Sequence, residues 1–451
     1  MKYIALTIGP IVDTLSLGRK TSEVWMASYL FSSFMKKSIK KIKERSDAKF
    51  IIPFVDDALL EEQDNGVGMF HDRFILQSDT LTLEEVETIL EEEKDAIAMM
   101  VAKSIKKDSD KVKAFFRQYL QTYLFESNEK FKHPILDISK IMDSIELHTP
   151  ILDTDEDYLR LFLNRDIILG SDLAKASFGK KPSFEAIDAI AAQELGDDVD
   201  ASNAYKYIAI IYADGDNLGE YIKSQGDVTK VSKNLFEFDK KAVASIEHYG
   251  ALPIFIGGDD LIIFAPLLNK GETVFDLLDT LSKDYKKALK TDESTLSFGV
   301  SLTYYKYPLY EALERARDAL FGVAKNHEGK NAVAVSTQKH SGQSFDFCVG
   351  KDEDSYEKFL TLIKSVLKEE VELPHAVHHK LQSHQMLFKS IESERLESTF
   401  DNIFNEDIHK DTFEQGLKEI RELMLSLGLE EKEQEKLFSM LSTIKVLRGD
   451  R

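Results

Sequence analysis

The chain has 451 residues, 43% of them hydrophobic, which is enough to bury real cores in two to four domains. Its formal net charge of −21 excludes nucleic-acid binding driven by long-range attraction, so any such contact needs local basic patches or a basic partner. One cysteine, Cys348, excludes a disulfide framework and a four-cysteine zinc site, and the lack of a signal peptide or membrane-length apolar run predicts a soluble, cytoplasmic protein.

In chain order, the first strand is Lys2-Tyr-Ile-Ala-Leu6. Lys36, Lys37, Lys40, Lys41 and Lys43 fall on one helix, and Lys103, Lys106, Lys107, Lys111 and Lys113 on another. Each set reads as a solvated helix face in preference to a nucleic-acid patch. In Pro53-Phe-Val-Asp-Asp57 the two aspartates read as a loop cap. His71-Asp72 lies in a strand-like stretch, and a metal phosphohydrolase would need further histidines on helices that the sequence does not supply. Residues 80–200 are mostly helical in pattern, with Thr82 capping one helix and Lys181 opening another. The polar run Gly196–Asn203 is a linker.

The second half carries the chemistry. A strand over 205–213 ends in Asp214-Gly215-Asp216-Asn217 and gives way to a helix over 217–248. Next come two apolar runs around Gly257-Gly258-Asp259-Asp260, which predict a β-hairpin over 251–265 with carboxylates at its tip. The glycines give a sharp turn and let a phosphate approach the backbone. Adjacent aspartates repel, and a divalent metal would relieve that. If the strands pair, Asp214, Asp259 and Asp260 hold two ions, Mg²⁺ or Mn²⁺, about 3.5–4 Å apart. A helix over 272–290, a strand over 296–303, a helix over 309–324 and a strand over 332–336 follow. The order is β-α-β-β-α-β with a further helix–strand excursion, a ferredoxin-like palm. Lys2–Leu6 returns as Lys206-Tyr-Ile-Ala-Ile210, and Pro53–Asp57 falls where Pro253–Asp260 would. Two tandem palms explain the echo, with the first silent because Pro10 replaces Asp214 and the glycines are missing. Beyond about 350 the pattern is helical and charged. His375, His378, His379 and His384 fall there, as titrating surface groups or zinc ligands.

The chain resembles the large, polymerase-like subunit of type III CRISPR effector complexes, especially the Cmr-type (III-B) form. The resemblance covers residues 1 to about 345. It rests on Ala213–Gly219, Gly257–Leu261, Tyr304–Tyr310, Ala324-Lys325, Gly329–Ala332 and His340–Gly342. At the N-terminus it rests on Ile8–Ile11, Arg19–Trp25, Ala27–Leu30 and, weakly, Asp72-Arg-Phe74. It implies a nucleotidyltransferase that makes an adenylate messenger from ATP, either a cyclic oligoadenylate or an AMP conjugate of S-adenosylmethionine. Asp214, Asp259 and Asp260 would be the catalytic metal ligands. Gly215, Asn217, Gly257, Gly258, Lys325 and Lys330 would bind the nucleotide, the lysines reaching over the turn to the triphosphate. Partners would be the other effector subunits, guide RNA and target RNA. Two departures stand out: the chain starts at the first palm without an HD nuclease domain, and it lacks the zinc cysteines.

The expected architecture is α+β: a first palm with helical insertion over 1–150, a helical linker over 151–200, a second palm over 201–345 and a helical bundle over 346–451. Two other readings remain. One is a GGDEF-type diguanylate cyclase, although the hairpin reads Gly257-Gly-Asp-Asp-Leu261, without Glu or Phe, and the Arg-x-x-Asp motif is missing. The other is a palm kept as a non-catalytic scaffold.

Overall fold

A computed structural model describes residues 2–61, 66–146, 156–178, 184–192, 206–225, 228–368, 380–390, 395–403 and 411–448. The linker Gly196–Asn203, His375, His378 and His379 lie outside these residues.

Two sheets repeat one plan of four antiparallel strands. The first contains β1 (Lys2–Gly9), β2 (Lys49–Ile52), β3 (Arg73–Ser78) and β4 (Gln121–Ser127), in the order β2-β3-β1-β4. The second contains β5 (Tyr207–Asp216), β6 (Leu252–Gly257), β7 (Asp260–Pro266) and β10 (Thr295–Tyr304), in the corresponding order β6-β7-β5-β10. Both are βαββαβ palms, as expected. A small ribbon, β8 (Leu268–Asn269) with β9 (Glu272–Thr273), leads into helix Val274–Leu289, where Thr273 forms a capping box with Asp276.

Several elements differ from expectation; the helix expected over 217–248 is described as two, Leu218–Ser224 and Val228–Tyr249. β4 falls inside the stretch read as helical; its Thr-Tyr-Leu-Phe run is rich in strand formers, and pairing with β1 settles it. β11 (Ala332–Gln338) runs parallel to β10, and β12 (Ser344–Gly350), read as the start of the helical bundle, instead closes the sheet edge against β11. The helix expected over 309–324 is α-helical only from Leu309 to Asp318, then π-helical over Ala319–Val323.

The alternation along β5 places the palms. Tyr207, Ala209, Ile211 and Ala213 enter a core shared with the C-terminal helices Asp354–Leu367, Asp411–Leu427 and Glu431–Arg448. Ile208 and Ile210 enter a core shared with the first palm. Burial on both faces explains why the strand reads as a continuous apolar run. In the first palm, the counterpart of the Gly-Gly-Asp-Asp hairpin has opened into a long connection between β2 and β3. Asp57 there begins a short helix and pairs with Lys43 at 2.7 Å.

Candidate functional site

The site forms where β5 ends beside the β6–β7 hairpin. Ala213 pairs with Leu261, and one step further along an antiparallel ladder sets Asp214 opposite Asp260. By the alternation of β7, both side chains fall on the sheet face that looks toward the first palm. Their carboxyl groups share a hydrogen bond. Like groups directly opposite across a ladder destabilise it. Asp260 is open to solvent on one side and crowded by protein on the others. That crowding, then the charges of Asp259 and Asp214, raises its carboxyl well above the usual range. Crowding, then Asp214, pushes Asp259 up to about 7.

Glycine at 215 is required by space. A Cβ there would lie 2.6 Å from Asp259 Oδ2 and 2.8 Å from the Tyr285 hydroxyl. The bare backbone lets the hairpin tip rest on the strand end, and the Gly215 amide donates to the Asp259 carboxylate. Gly258 has φ +72°, a left-handed turn that L side chains resist. From below, buried Asp239 Oδ1 accepts from the Gly258 amide at 2.9 Å. Burial raises the Asp239 carboxyl well above its usual value.

Lys325 is placed differently from a cation reaching over the turn. Its ammonium donates to the carbonyls of Asp214 at 2.8 Å and Gly215 at 2.7 Å, and to Asp216 Oδ1 at 2.9 Å, and it also pairs with the Asp214 carboxylate. The strand end turns its carbonyls toward this one charge, so Lys325 ties the end of β5 together. Asp216 is its fully buried partner. Asp216 Oδ2 accepts from Ser297 Oγ at 2.7 Å, Thr295 Oγ1 at 2.9 Å and the Asn331 amide at 3.0 Å. Lys330 donates to Asn217 Oδ1 at 3.2 Å. Asn217 has left-handed backbone and makes no side-chain cap to the helix it precedes.

The structure thus brings Asp214, Gly215, Asn217, Gly257, Gly258, Asp259, Asp260, Lys325 and Lys330 to one end of the second palm. Sequence reasoning gave Asp216, Asp239 and His71 no role in this site. The spacing of Asp214 and Asp216 on one strand was a usable signal. Asp239 and His71 had none, because their partners are distant in the chain. The imidazole of His71, from the first palm, lies against Gly257 and Gly258.

The donor set fits Mg²⁺ or Mn²⁺ as a facing pair of carboxylates. Such ions take one or two carboxylates and complete the shell with water and phosphate oxygens. The expected preformed triad is not what the geometry presents. Asp259 is turned onto Gly215, and among the described residues no three His, Cys, Asp or Glu side chains form a ready metal cluster.

Comparison with known proteins follows the same lines. Residues 207–334 match the family model described as Cas10/Cmr2, second palm domain. Residues 3–113 match that of the CRISPR-associated protein Cmr2, N-terminal. The chain is similar to the CRISPR system Cmr subunit Cmr2 of Pyrococcus furiosus, 26% identical over 233 residues. That match spans 44% of this chain and 27% of the relative's length. In fold it is similar to a chain of a type III-B Cmr-beta complex in the apo state, with TM-score 0.61, 10% identity, and coverage of 92% of this chain and 78% of that one. It is also similar to a chain of a Csm1–Csm4 cassette in complex with cA4, with TM-score 0.59, 12% identity, and coverage of 99% and 70%. Another such cassette, in complex with one ATP, gives TM-score 0.57, 14% identity, and coverage of 100% and 70%. With two family models matched in succession, together over more than half of its length, the chain belongs to the Cas10/Cmr2 family.

Proposed function

We propose that this chain is the nucleotidyltransferase subunit of a type III CRISPR RNA-guided complex and makes an adenylate messenger from ATP. The single observation that carries the reading is the Asp214–Asp260 carboxylate pair facing across β5 and β7 beside a glycine turn. The arrangement disfavours the apo fold and suits a bound cation. The Csm1–Csm4 relatives in complex with cA4 and with ATP support the choice of nucleotide.

In this proposal a ribose hydroxyl of one nucleotide attacks the α-phosphorus of ATP. The new bond is O–P, the bond to pyrophosphate breaks, and the hydroxyl proton leaves to solvent. Divalent ions, when bound, lower the pKa of the attacking hydroxyl and neutralise the leaving pyrophosphate. Asp214 and Asp260 hold them, with Asp259 adding charge from the turn. Gly257 and Gly258 form the tight turn that presents Asp259 and Asp260. Gly215 keeps the turn close to the strand end, and Asn217 is placed for a sugar or base edge. Lys330 is the cation for the triphosphate, while Lys325 and Asp216 hold the strand end in shape.

The test is mass spectrometry of products from the assembled complex with target RNA, Mg²⁺ and either ATP, GTP, or ATP with S-adenosylmethionine. Cyclic or linear oligoadenylates, or an AMP conjugate, support the proposal and choose between its two products. Cyclic diguanylate from GTP would favour the diguanylate cyclase, and no product in any arm would favour the scaffold.

A further inference from the structure

The segment 66–72 of the first palm reaches the carboxylate turn. Gly68 pairs in parallel with Phe255 on the edge strand β6, and its carbonyl accepts from the Ile256 amide at 3.1 Å. The Phe70 amide donates to Ser32 Oγ at 2.9 Å, and the Ile8 amide donates to the Asp72 carbonyl at 2.9 Å. Ser28 Oγ, from the same helix as Ser32, donates to the Ile254 carbonyl at 3.3 Å. His71 is therefore flanked by two backbone anchors in the first palm, on a segment sewn to the second.

Its ring fills the space beside Gly258, where a Cβ would lie 2.6 Å from His71 Cε1; a Cβ on Gly257 would meet the Phe255 ring at 2.4 Å before it met His71 Nδ1 at 3.3 Å. Asp239 grips the same turn from the other side through the Gly258 amide. Neither imidazole nitrogen has a hydrogen-bond partner among the described residues. Burial pushes the imidazole down to about 4, so at neutral pH it brings bulk without charge to a turn that carries two carboxylates.

We propose that His71 is a positioning residue for the hairpin tip, a first-palm wedge that fixes the Gly257–Gly258 backbone and so sets Asp259 and Asp260 against Asp214. This rests on reading the turn as catalytic. It adds a steric reason for glycine at 258 to the left-handed backbone that already favours it. It also makes the contact between the palms a condition for activity, because a displacement of about 1 Å in such a site can cost about 100-fold in rate.

The experiment compares His71→Ala and His71→Phe in the full chain. The first removes the wedge and the second keeps its bulk. Hydrogen exchange across the hairpin, residues 252–266, reads the turn without requiring turnover. His71→Ala should exchange faster at Gly258–Asp260 by about tenfold, while His71→Phe stays near wild type. In the assembled complex, kcat for ATP should fall about 10- to 100-fold for His71→Ala with little change in KM, and be largely restored in His71→Phe. Unchanged exchange in His71→Ala would overturn the proposal. So would faster exchange with kcat intact, or a His71→Phe variant as impaired as His71→Ala. A wild-type complex that makes no product from ATP would defeat the catalytic reading and still leave the exchange test of the wedge standing.

Discussion

Asp259 and Asp260 cost the apo protein stability, and that cost is measurable as a pH dependence. The Asp259 carboxyl is pushed up to about 7 from its ordinary 3.8. Between those values the folded protein keeps a proton that the unfolded chain has already released. Stability therefore falls as pH rises through the window. Metal-free wild type is expected to lose melting temperature from about pH 5 to pH 7.5 relative to Asp259→Asn, which lacks this titration. Parallel curves for the two proteins in scanning calorimetry would contradict the assignment. Asp216 has the opposite character: it is buried, with four donors satisfied on its carboxylate. Asp216→Ala leaves the Lys325 ammonium, two hydroxyls and the Asn331 amide short of a partner. It should cost about 3 kcal/mol or more in urea unfolding, as breaking a buried ion pair does. A loss within about 0.5 kcal/mol, as for an ordinary surface change, would refute that role.

At the scale of elements, the strand end and the hairpin act as one unit, and Gly215 is the clearance between them. Gly215→Ala would drive a methyl group into Asp259 and Tyr285. We expect the hairpin tip to move away from β5 and ATP turnover to fall by about 100-fold, with the remaining fold intact by circular dichroism. Turnover near wild type would show that the approach is not needed. The palm strands themselves were legible in the sequence. β5, β6, β7 and β10 are apolar runs bounded by turn residues, and the Asp-Gly-Asp and Gly-Gly-Asp-Asp strings mark their ends. β12 was less so, since Ser344–Gly350 is short and is made a strand by pairing with β11. The π-helical turn at Ala319–Val323 leaves no mark in the periodicity of its neighbours. The candidate carboxylates were legible because they are local strings. The supports under them were not: Asp239 and His71 meet the turn only through the tertiary fold, and Lys325 could not be told from a surface lysine until the carbonyls around it were placed.

Across the whole molecule, the two palms share one core and a histidine-bearing seam. Arg19 of the first palm sets its guanidinium 4.1 Å over the Tyr310 ring of the second, joining two of the motifs that carry the family resemblance. The lysine-rich helix faces are largely committed within the chain. Lys40 pairs with Glu61, Lys41 with Glu92 and Glu93, Lys103 with Asp172 and Lys107 with Glu156. With a net charge of −21 besides, the lone chain is expected to bind single-stranded RNA weakly at physiological salt. ATP turnover should rise when the remaining subunits, guide and matching target RNA are added. RNA-independent turnover at full rate by the lone chain would point to a free-standing cyclase.

The most direct test of the central claim is product formation from labelled ATP by the assembled, target-bound complex carrying Asp259→Ala and Asp260→Ala together. The account predicts no adenylate product above background, with assembly and melting temperature preserved or improved. Turnover near the wild-type rate in that double variant would contradict it.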